Sequence, residues 1–135
     1  PGMVNVHSHI SMIPFRSMGD DCPDRLRRFL FPLELEAMTP ELIYLSARYA
    51  VCELLLSGVT TVLDMYYFED QVAQACEKMG IRAWMGETVI NMETCDSKEP
   101  YGGLFEKMVR PRQDSPDGCS PCYQYQFSGN AEGSL

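Results

Sequence analysis

The sequence has few basic residues and no long apolar run. Its 135 residues carry 11 Lys and Arg against 19 Asp and Glu, which gives a net charge of −8. Nucleic acids and anionic membranes are bound through basic surfaces, so this balance excludes both as non-specific partners. The longest apolar segment, 44–56, is interrupted by Arg48 and Glu53. It also falls short of the roughly 20 residues that a membrane-spanning helix needs.

The sequence begins at Pro1, without an initiator methionine, and contains no segment with the pattern of a secretion signal. Such a start leads us to expect a piece of a longer protein. Its six cysteines are irregularly spaced and occur with nine methionines. Because disulfide frameworks belong to secreted proteins, we expect reduced thiols and a cytoplasmic location.

Continuous apolar segments alternate with amphipathic segments along most of the chain. The predicted elements are strands at 3–6, 59–66 and 81–86 and helices at 26–30, 40–58, 69–79 and 104–110. Strands that are apolar on both faces are typical of parallel sheets covered by helices. The order therefore predicts an α/β fold with right-handed crossover connections.

The clearest helix follows Thr39, which suits the N-cap position, with Pro40 at the first helical position. Gly58 supplies the C-terminal stop. Apolar residues at helical spacing predict the buried stripe Leu42, Leu45, Tyr49, Cys52 and Leu56.

His7 and His9 are the only histidines, and they come where the first predicted strand ends. Residues i and i+2 of a strand point to the same side, so the two imidazoles face one direction. The carboxyl ends of parallel strands carry the active sites of α/β proteins. Neutral imidazole binds zinc, iron, nickel and copper, so the pair is a candidate metal site. The alternative is two polar residues where a strand meets its loop.

Two segments resemble known motifs of one family. Pro1-Gly-Met-Val-Asn-Val-His-Ser-His is similar to the strand-one motif of the amidohydrolase superfamily, P-G-hydrophobic-x-N/D-x-H-x-H. Gly58-Val-Thr-Thr-Val-Leu-Asp-Met-Tyr resembles the second strand in one branch of that superfamily. This branch contains S-adenosylhomocysteine/methylthioadenosine deaminases, guanine deaminases and triazine chlorohydrolases. The resemblance covers residues 1–112.

The resemblance implies a fold and a chemistry. The family folds as a (β/α)8 TIM barrel, so 1–112 would form a partial barrel domain of about the first three βα units. The family binds a divalent metal, here expected to be zinc, with iron as the alternative. His7 and His9 match its first two metal ligands. A metal-activated water would attack a ring amidine carbon of a small heterocyclic substrate and hydrolyse a non-peptide carbon–nitrogen bond.

The remaining metal ligands and the catalytic residues of the family cannot be assigned on this chain. A catalytic zinc normally has three protein ligands, and the chain supplies two. We therefore expect the fragment to be inactive by itself, while the parent protein is an enzyme. A homo-oligomeric parent is compatible with the resemblance.

Residues 113–135 have neither helical nor strand periodicity, and two hypotheses address them. In the first, Cys119 and Cys122 join His7 and His9 in a small structural zinc-binding module. In the second, the tail is translated out of frame and is disordered. With one choice of synonymous codons, reading Cys119 onward one base later gives A-P-H-A-T-N-T-N-S-A-E-T-L, which resembles the family's third metal-ligand loop. The missing histidine would then overlap the codon of Pro121.

Four further residues lie where strands end or loops begin. Asp64 lies at the end of the second predicted strand, where it either supports a metal ligand or caps the following loop. The same two roles are possible for Glu87, which follows the third predicted strand. Arg16 and Met18 lie in the loop that forms part of the substrate pocket in the branch. Tyr66, Tyr67, Phe68 and Trp84 are expected to be packing residues.

Overall fold

The computed structural model describes residues 1–98 and the backbone of Cys122 and Tyr123. Its strands are β1 (Met3–Ser8), β2 (Val59–Tyr66), β3 (Arg82–Glu87) and β4 (Cys122–Tyr123). Its α-helices are α1 (Phe31–Ala37), α2 (Pro40–Leu56) and α3 (Glu69–Met79). A 3-10 turn at Ile10–Phe15 follows β1, and a π-helical turn at Leu26–Leu30 leads into α1. The predicted helix at 104–110 lies outside the described residues.

The strands form one parallel sheet in the order β1-β2-β3-β4. The pairing of β2 with β3 runs in regular register from Thr61↔Arg82 to Tyr66↔Glu87. The pairing of β1 with β2 is irregular between Asn5 and Ser8, and Ser8 lies opposite Asp64. The predicted α/β class with parallel strands is confirmed. Within residues 1–98, no helix is long and apolar enough to cross a membrane.

The start of α2 follows from its capping residues. Thr39 has extended backbone angles, and its Oγ1 accepts a hydrogen bond from the Leu42 amide at 3.2 Å. Pro40 occupies the first helical position, where its missing N–H leaves no donor unsatisfied. Gly58 follows the helix with a positive φ of 83°, which a glycine adopts without strain.

Removing the cap of α2 should destabilise the chain. Thr39→Ala deletes the oxygen that satisfies the Leu42 amide, so we expect the free energy of unfolding to fall by about 1 kcal/mol. Urea unfolding followed by circular dichroism measures this change. Thr39→Ser keeps the hydroxyl and is the matched control. Equal losses in the two variants would show that the hydroxyl does not cap the helix.

The predicted buried stripe of α2 is wrong except at Leu42, which is partly buried against the core. Leu45, Tyr49 and Leu56 are 51%, 60% and 89% exposed. The helix instead buries residues that are mostly small, namely Ile43, Ser46, Ala47, Ala50 and Val51. Small side chains let α2 lie close to α3 and to the 3-10 turn, which it contacts extensively. The face with small side chains is therefore the buried one, because it lets the helix backbone approach its neighbours closely.

The core lies between the sheet and the helices. Val62, Ala83 and Met85 of the strands are buried, as are Val72 and Cys76 of α3. The alternate residues Leu63 and Trp84, which are paired in register, remain 36% and 40% exposed. The helices thus cover one face of β2 and β3, and in the described residues the other face stays accessible.

Candidate metal centre

The two histidines lie side by side at the carboxyl end of β1. His7 is the penultimate residue of the strand and His9 follows it directly. Their ring centroids are 5.0 Å apart, with the rings at 77° to each other. His7 is exposed and His9 is half-buried. Both imidazoles are therefore close enough to approach one ion from neighbouring positions.

The ring of His9 is held by the neighbouring strand. Its Nδ1 lies 2.5 Å from the carbonyl oxygen of Met65 in β2. Because a carbonyl oxygen only accepts hydrogen bonds, Nδ1 must carry the proton, and Nε2 keeps its lone pair. Metal-binding histidines typically donate their second ring N–H to a carbonyl or carboxylate in this way.

The donor set fits a divalent metal, but only in part. Two imidazoles, one of them fixed in the tautomer that exposes Nε2, suit zinc or iron. Within residues 1–98, no group of three His, Cys, Asp or Glu side chains could hold a metal ion. The described part of the chain therefore provides two ligands of a centre that needs more.

Asp64 contacts the residue that follows His9. Its side chain is 1% exposed, and Oδ1 accepts a hydrogen bond from the Ile10 amide at 2.8 Å. The carboxylate thus holds the loop after β1. Burial raises the pKa of Asp64, although the Ile10 amide opposes this shift by favouring the charged form.

Glu87 lies beside the start of α3. Its Oε2 accepts a hydrogen bond from the Glu69 amide at 3.2 Å. The carboxylate therefore satisfies an amide in the first turn of the helix, where a negative charge is favoured. Of the two roles left open for Glu87, this hydrogen bond favours the structural one.

Sequence reasoning missed Glu69, which is 3% exposed and begins α3. Burial raises its pKa well above the ordinary value, and the negative charges of Asp64 and Glu87 raise it further. Glutamates are common in the first turn of a helix, where they are usually solvated. Nothing in the local sequence distinguishes this one, because its burial depends on how α3 packs on the sheet.

A second buried carboxyl group lies near His9. Glu34 of α1 is 3% exposed, and its Oε1 accepts a hydrogen bond from the Tyr66 hydroxyl at 2.7 Å. The Tyr66 ring centroid is 6.2 Å from that of His9. Tyr66 was expected only to pack, whereas it links the candidate metal centre to α1. The sequence signal for Glu34 was its place between Leu33 and Leu35, but that pattern also fits an exposed glutamate.

Glu34 should make folding stability depend on pH. Burial raises the pKa of Glu34 above its ordinary value of 4.5, and the Tyr66 hydroxyl offsets only part of the shift. A carboxyl group with a raised folded-state pKa stabilises the fold most below 4.5, and this contribution is lost as pH rises through the folded-state pKa. We expect Glu34→Gln to make the free energy of unfolding fall less steeply with rising pH. Urea unfolding between about pH 4 and pH 8 measures this slope.

The exposed Glu36→Gln, also in α1, is the control for that experiment and should leave the slope unchanged. If Glu34→Gln and the wild type show equal slopes, the Glu34 carboxyl titrates alike in the folded and unfolded chains.

Arg16 lies on the same cleft as the histidines. This cleft of about 560 Å³ is lined by His7, His9, Arg16 and Glu53, among others. Arg16 forms a two-pronged ion pair with Glu53, with Nη2 and Oε2 2.6 Å apart and Nη1 and Oε1 3.3 Å apart. Both side chains are largely exposed, so the pair contributes little stability.

The other predicted residues are not brought into this cleft. Met18 is 40% exposed, and its carbonyl accepts a hydrogen bond from Arg25 Nε at 2.8 Å. Cys119 and Pro121 lie outside the described residues. Only the backbone of Cys122 is described, in β4, where it pairs with Trp84.

Comparison with protein families gives one clear match. A family model described as "Amidohydrolase family" matches residues 1–126. A 5-methylthioadenosine/S-adenosylhomocysteine deaminase of Aquifex aeolicus is 41% identical over 102 residues, which cover 74% of this chain and 24% of that protein. A deaminase of the same name from Lawsonia intracellularis is 42% identical over 119 residues, covering 85% of this chain and 27% of that protein. The chain thus spans about a quarter of the length of these relatives.

Solved structures show the same fold. An adenosine deaminase of Xanthomonas campestris with bound zinc is 27% identical with a TM-score of 0.76, and the match covers 94% of this chain and 29% of that one. An atrazine chlorohydrolase of Arthrobacter aurescens complexed with zinc gives a TM-score of 0.67 at 18% identity, covering 96% of this chain and 34% of that one. At that identity the second likeness concerns the fold alone.

Proposed function

The chain belongs to the amidohydrolase family, and we propose that it is the first part of the barrel of a metal-dependent deaminase. The parent protein would hydrolyse a non-peptide carbon–nitrogen bond of a small heterocyclic substrate. Relatives about 40% identical are named 5-methylthioadenosine/S-adenosylhomocysteine deaminases, which favours an adenine nucleoside with a sulfur-containing substituent. The partial barrel, with about three βα units, and a cytoplasmic location are parts of the same proposal.

The observation that carries the proposal is the pair of neighbouring imidazoles, of which the His9 ring is fixed by a hydrogen bond. His9 keeps Nε2 available because Met65 binds its Nδ1 proton, and His7 lies beside it. These two side chains would hold the metal together with ligands from later strands. Zinc is the expected ion and iron the alternative, since both accept imidazole. A metal held there would supply the activation of water that the hydrolysis needs at neutral pH.

The chain's own residues would orient this site. The Met65 carbonyl fixes the ring and tautomer of His9, and Asp64 fixes the backbone just after it. Tyr66 packs beside His9 and carries the hydrogen bond to Glu34. The accessible face of the sheet, with Leu63 and Trp84, would be covered by the remaining barrel strands.

We further propose that 113–135 is translated out of frame. The support is that synonymous codons exist for which the shifted frame reads A-P-H-A-T-N-T-N-S-A-E-T-L, with a histidine that overlaps the codon of Pro121. The family match extends past residue 112 to residue 126. The DNA sequence must therefore also locate the codon at which the frame changes. In this proposal the parent's third metal ligand is encoded in the other frame.

Sequencing the DNA from codon 104 onward tests the proposed function. We expect the shifted frame to stay open and to encode further histidines and a late aspartate. The protein expressed in that frame should bind zinc and release ammonia from 5-methylthioadenosine. A stop codon a few triplets into the shifted frame would refute the out-of-frame proposal. A restored full-length protein without zinc or ammonia release would refute the deaminase.

A further inference from the structure

Three carboxyl groups meet where β2, β3 and α3 come together. Asp64 and Glu69 are 1% and 3% exposed, and the Oε2 of Glu87 contacts the Glu69 amide. Within residues 1–98, no Lys or Arg shifts the pKa of Asp64 or Glu69, and His9 lowers the pKa of Asp64 less than burial raises it. Burying several negative charges without a cation is strongly unfavourable, so this group does not hold all its charges.

The hydrogen-bond pattern indicates where a proton lies. Asp64 Oδ1 accepts a hydrogen bond from the Ile10 amide, while Asp64 Oδ2 and both Glu69 carboxyl oxygens are buried and have no hydrogen-bond donor among the described residues. Glu69 nonetheless interacts with Asp64, and this interaction favours the charged form of Asp64 and the neutral form of Glu69. One proton on Glu69, donated to Asp64 Oδ2, satisfies an oxygen on each side.

We propose that Asp64 and Glu69 form a carboxylate–carboxylic acid pair that positions the loop carrying His9. Asp64 accepts from the Ile10 amide on one side and from the Glu69 carboxyl on the other. The pair rests on the proposed function in one respect, namely that His9 is a metal ligand. Both residues are positioning residues, because they act on the site through the backbone of the loop.

The arrangement around His9 explains why the pair matters for the site. Two consecutive residues of β2 hold it, since Met65 binds its ring and Asp64 binds the next amide. Without the Glu69 carboxyl group, Asp64 Oδ2 would be buried with no donor, and only the Ile10 amide and Ser8 would hold the carboxylate. The carboxyl group of Glu69 prevents this by fixing Oδ2.

The backbone before α3 supports this role for Glu69. Phe68, which precedes it, adopts left-handed angles with φ 51° and ψ 44°, although it is not a glycine. A bulky residue keeps such a conformation only where the surroundings require it. The Glu87 carboxylate already accepts a hydrogen bond from the Glu69 amide at this helix end, so a second negative charge on Glu69 itself is disfavoured.

Nuclear magnetic resonance on the 135-residue chain without metal tests the pair directly. Two quantities are measured: the exchange rate of the Ile10 amide and the tautomer of His9 from its ring nitrogen shifts. Glu69→Leu removes the donor to Asp64 and should speed Ile10 exchange by at least about tenfold. It should also convert His9 from the Nδ1–H tautomer to a mixture. Glu69→Gln keeps a donor, so both quantities should stay within about twofold of wild type.

Controls separate this effect from general loss of structure. The exposed Glu77→Gln lies on the same helix and should change neither quantity. Exchange of the buried Ala47 amide in α2 reports whether each variant stays folded. Equal behaviour of Glu69→Gln and Glu69→Leu would overturn the proposal, whether both resemble wild type or both lose the Ile10 hydrogen bond.

Zinc affinity distinguishes a failure of the proposed metal site from a failure of the Asp64–Glu69 pair. Zinc affinity, measured by competition with a colorimetric chelator, should fall about tenfold in Glu69→Leu and remain unchanged in Glu69→Gln. If His9→Ala does not weaken zinc binding, the proposed function fails, while Ile10 exchange still decides on the pair. If Ile10 exchange is insensitive to Glu69→Leu but His9→Ala abolishes zinc binding, the pair fails and the metal site stands.

Discussion

His9→Ala should weaken zinc binding to this chain by more than about 100-fold, because even the loss of an outer hydrogen-bond partner of a ligand costs 10–100-fold. His9 is the better fixed of the two ligands, since Met65 holds its ring with Nε2 available. His7→Ala should show a loss of the same order. Chelator competition at neutral pH measures both affinities.

The control for this experiment is the Cys119→Ser, Cys122→Ser double variant. In our account the cysteines take no part in metal binding, so this variant should bind zinc as the wild type does. A chain that keeps its zinc affinity without His9, or loses it with the two cysteines, would favour the small structural zinc module and refute the amidohydrolase-type site.

Ile43→Ala should lower the free energy of unfolding by about 2–5 kcal/mol. Ile43 lies in α2 and is 0% exposed, so truncation removes buried apolar surface and leaves a cavity. The surrounding residues of α2 are mostly small and already close to their neighbours, which limits how far the helix can move to fill the space. Urea unfolding with tryptophan fluorescence from Trp84 measures the loss.

Leu45→Ala is the matched control, because Leu45 lies two residues away in the same helix and is 51% exposed. Its cost should stay within about 0.5 kcal/mol, as expected for a surface substitution. If Leu45→Ala cost as much as Ile43→Ala, the buried face of α2 would be the one that the apolar periodicity predicts, and the described packing would be wrong.

The elements were predictable from the sequence because their signals are local. Thr39 and Pro40 begin α2 through capping that involves only neighbouring residues, and Gly80 ends α3 with a positive φ of 76°. The parallel sheet followed from apolar strands that alternate with helices. The buried face of α2 was not predictable, because it depends on how closely Ala47 and Ala50 let the helix approach its neighbours.

The candidate site was predictable only where residues are adjacent in sequence. His7 and His9 are recognisable as a spaced pair at the end of a strand. The position of Asp64 at the end of the next strand suggested that it could support one of these metal ligands. The contact of Asp64 with Ile10 spans 54 residues and requires the register of β1 with β2. Glu34 and Glu69 reach the site through helix packing, which leaves no local pattern.

Zinc K-edge X-ray absorption of the zinc-loaded chain tests the central claim most directly, because it reports the atoms that bind the metal. If His7 and His9 form half of an amidohydrolase metal centre, the spectrum will contain two imidazole nitrogens at about 2.0–2.1 Å, completed by light atoms from solvent. A shell of sulfur atoms at about 2.3 Å would contradict the account, since it would place Cys119 and Cys122 on the metal.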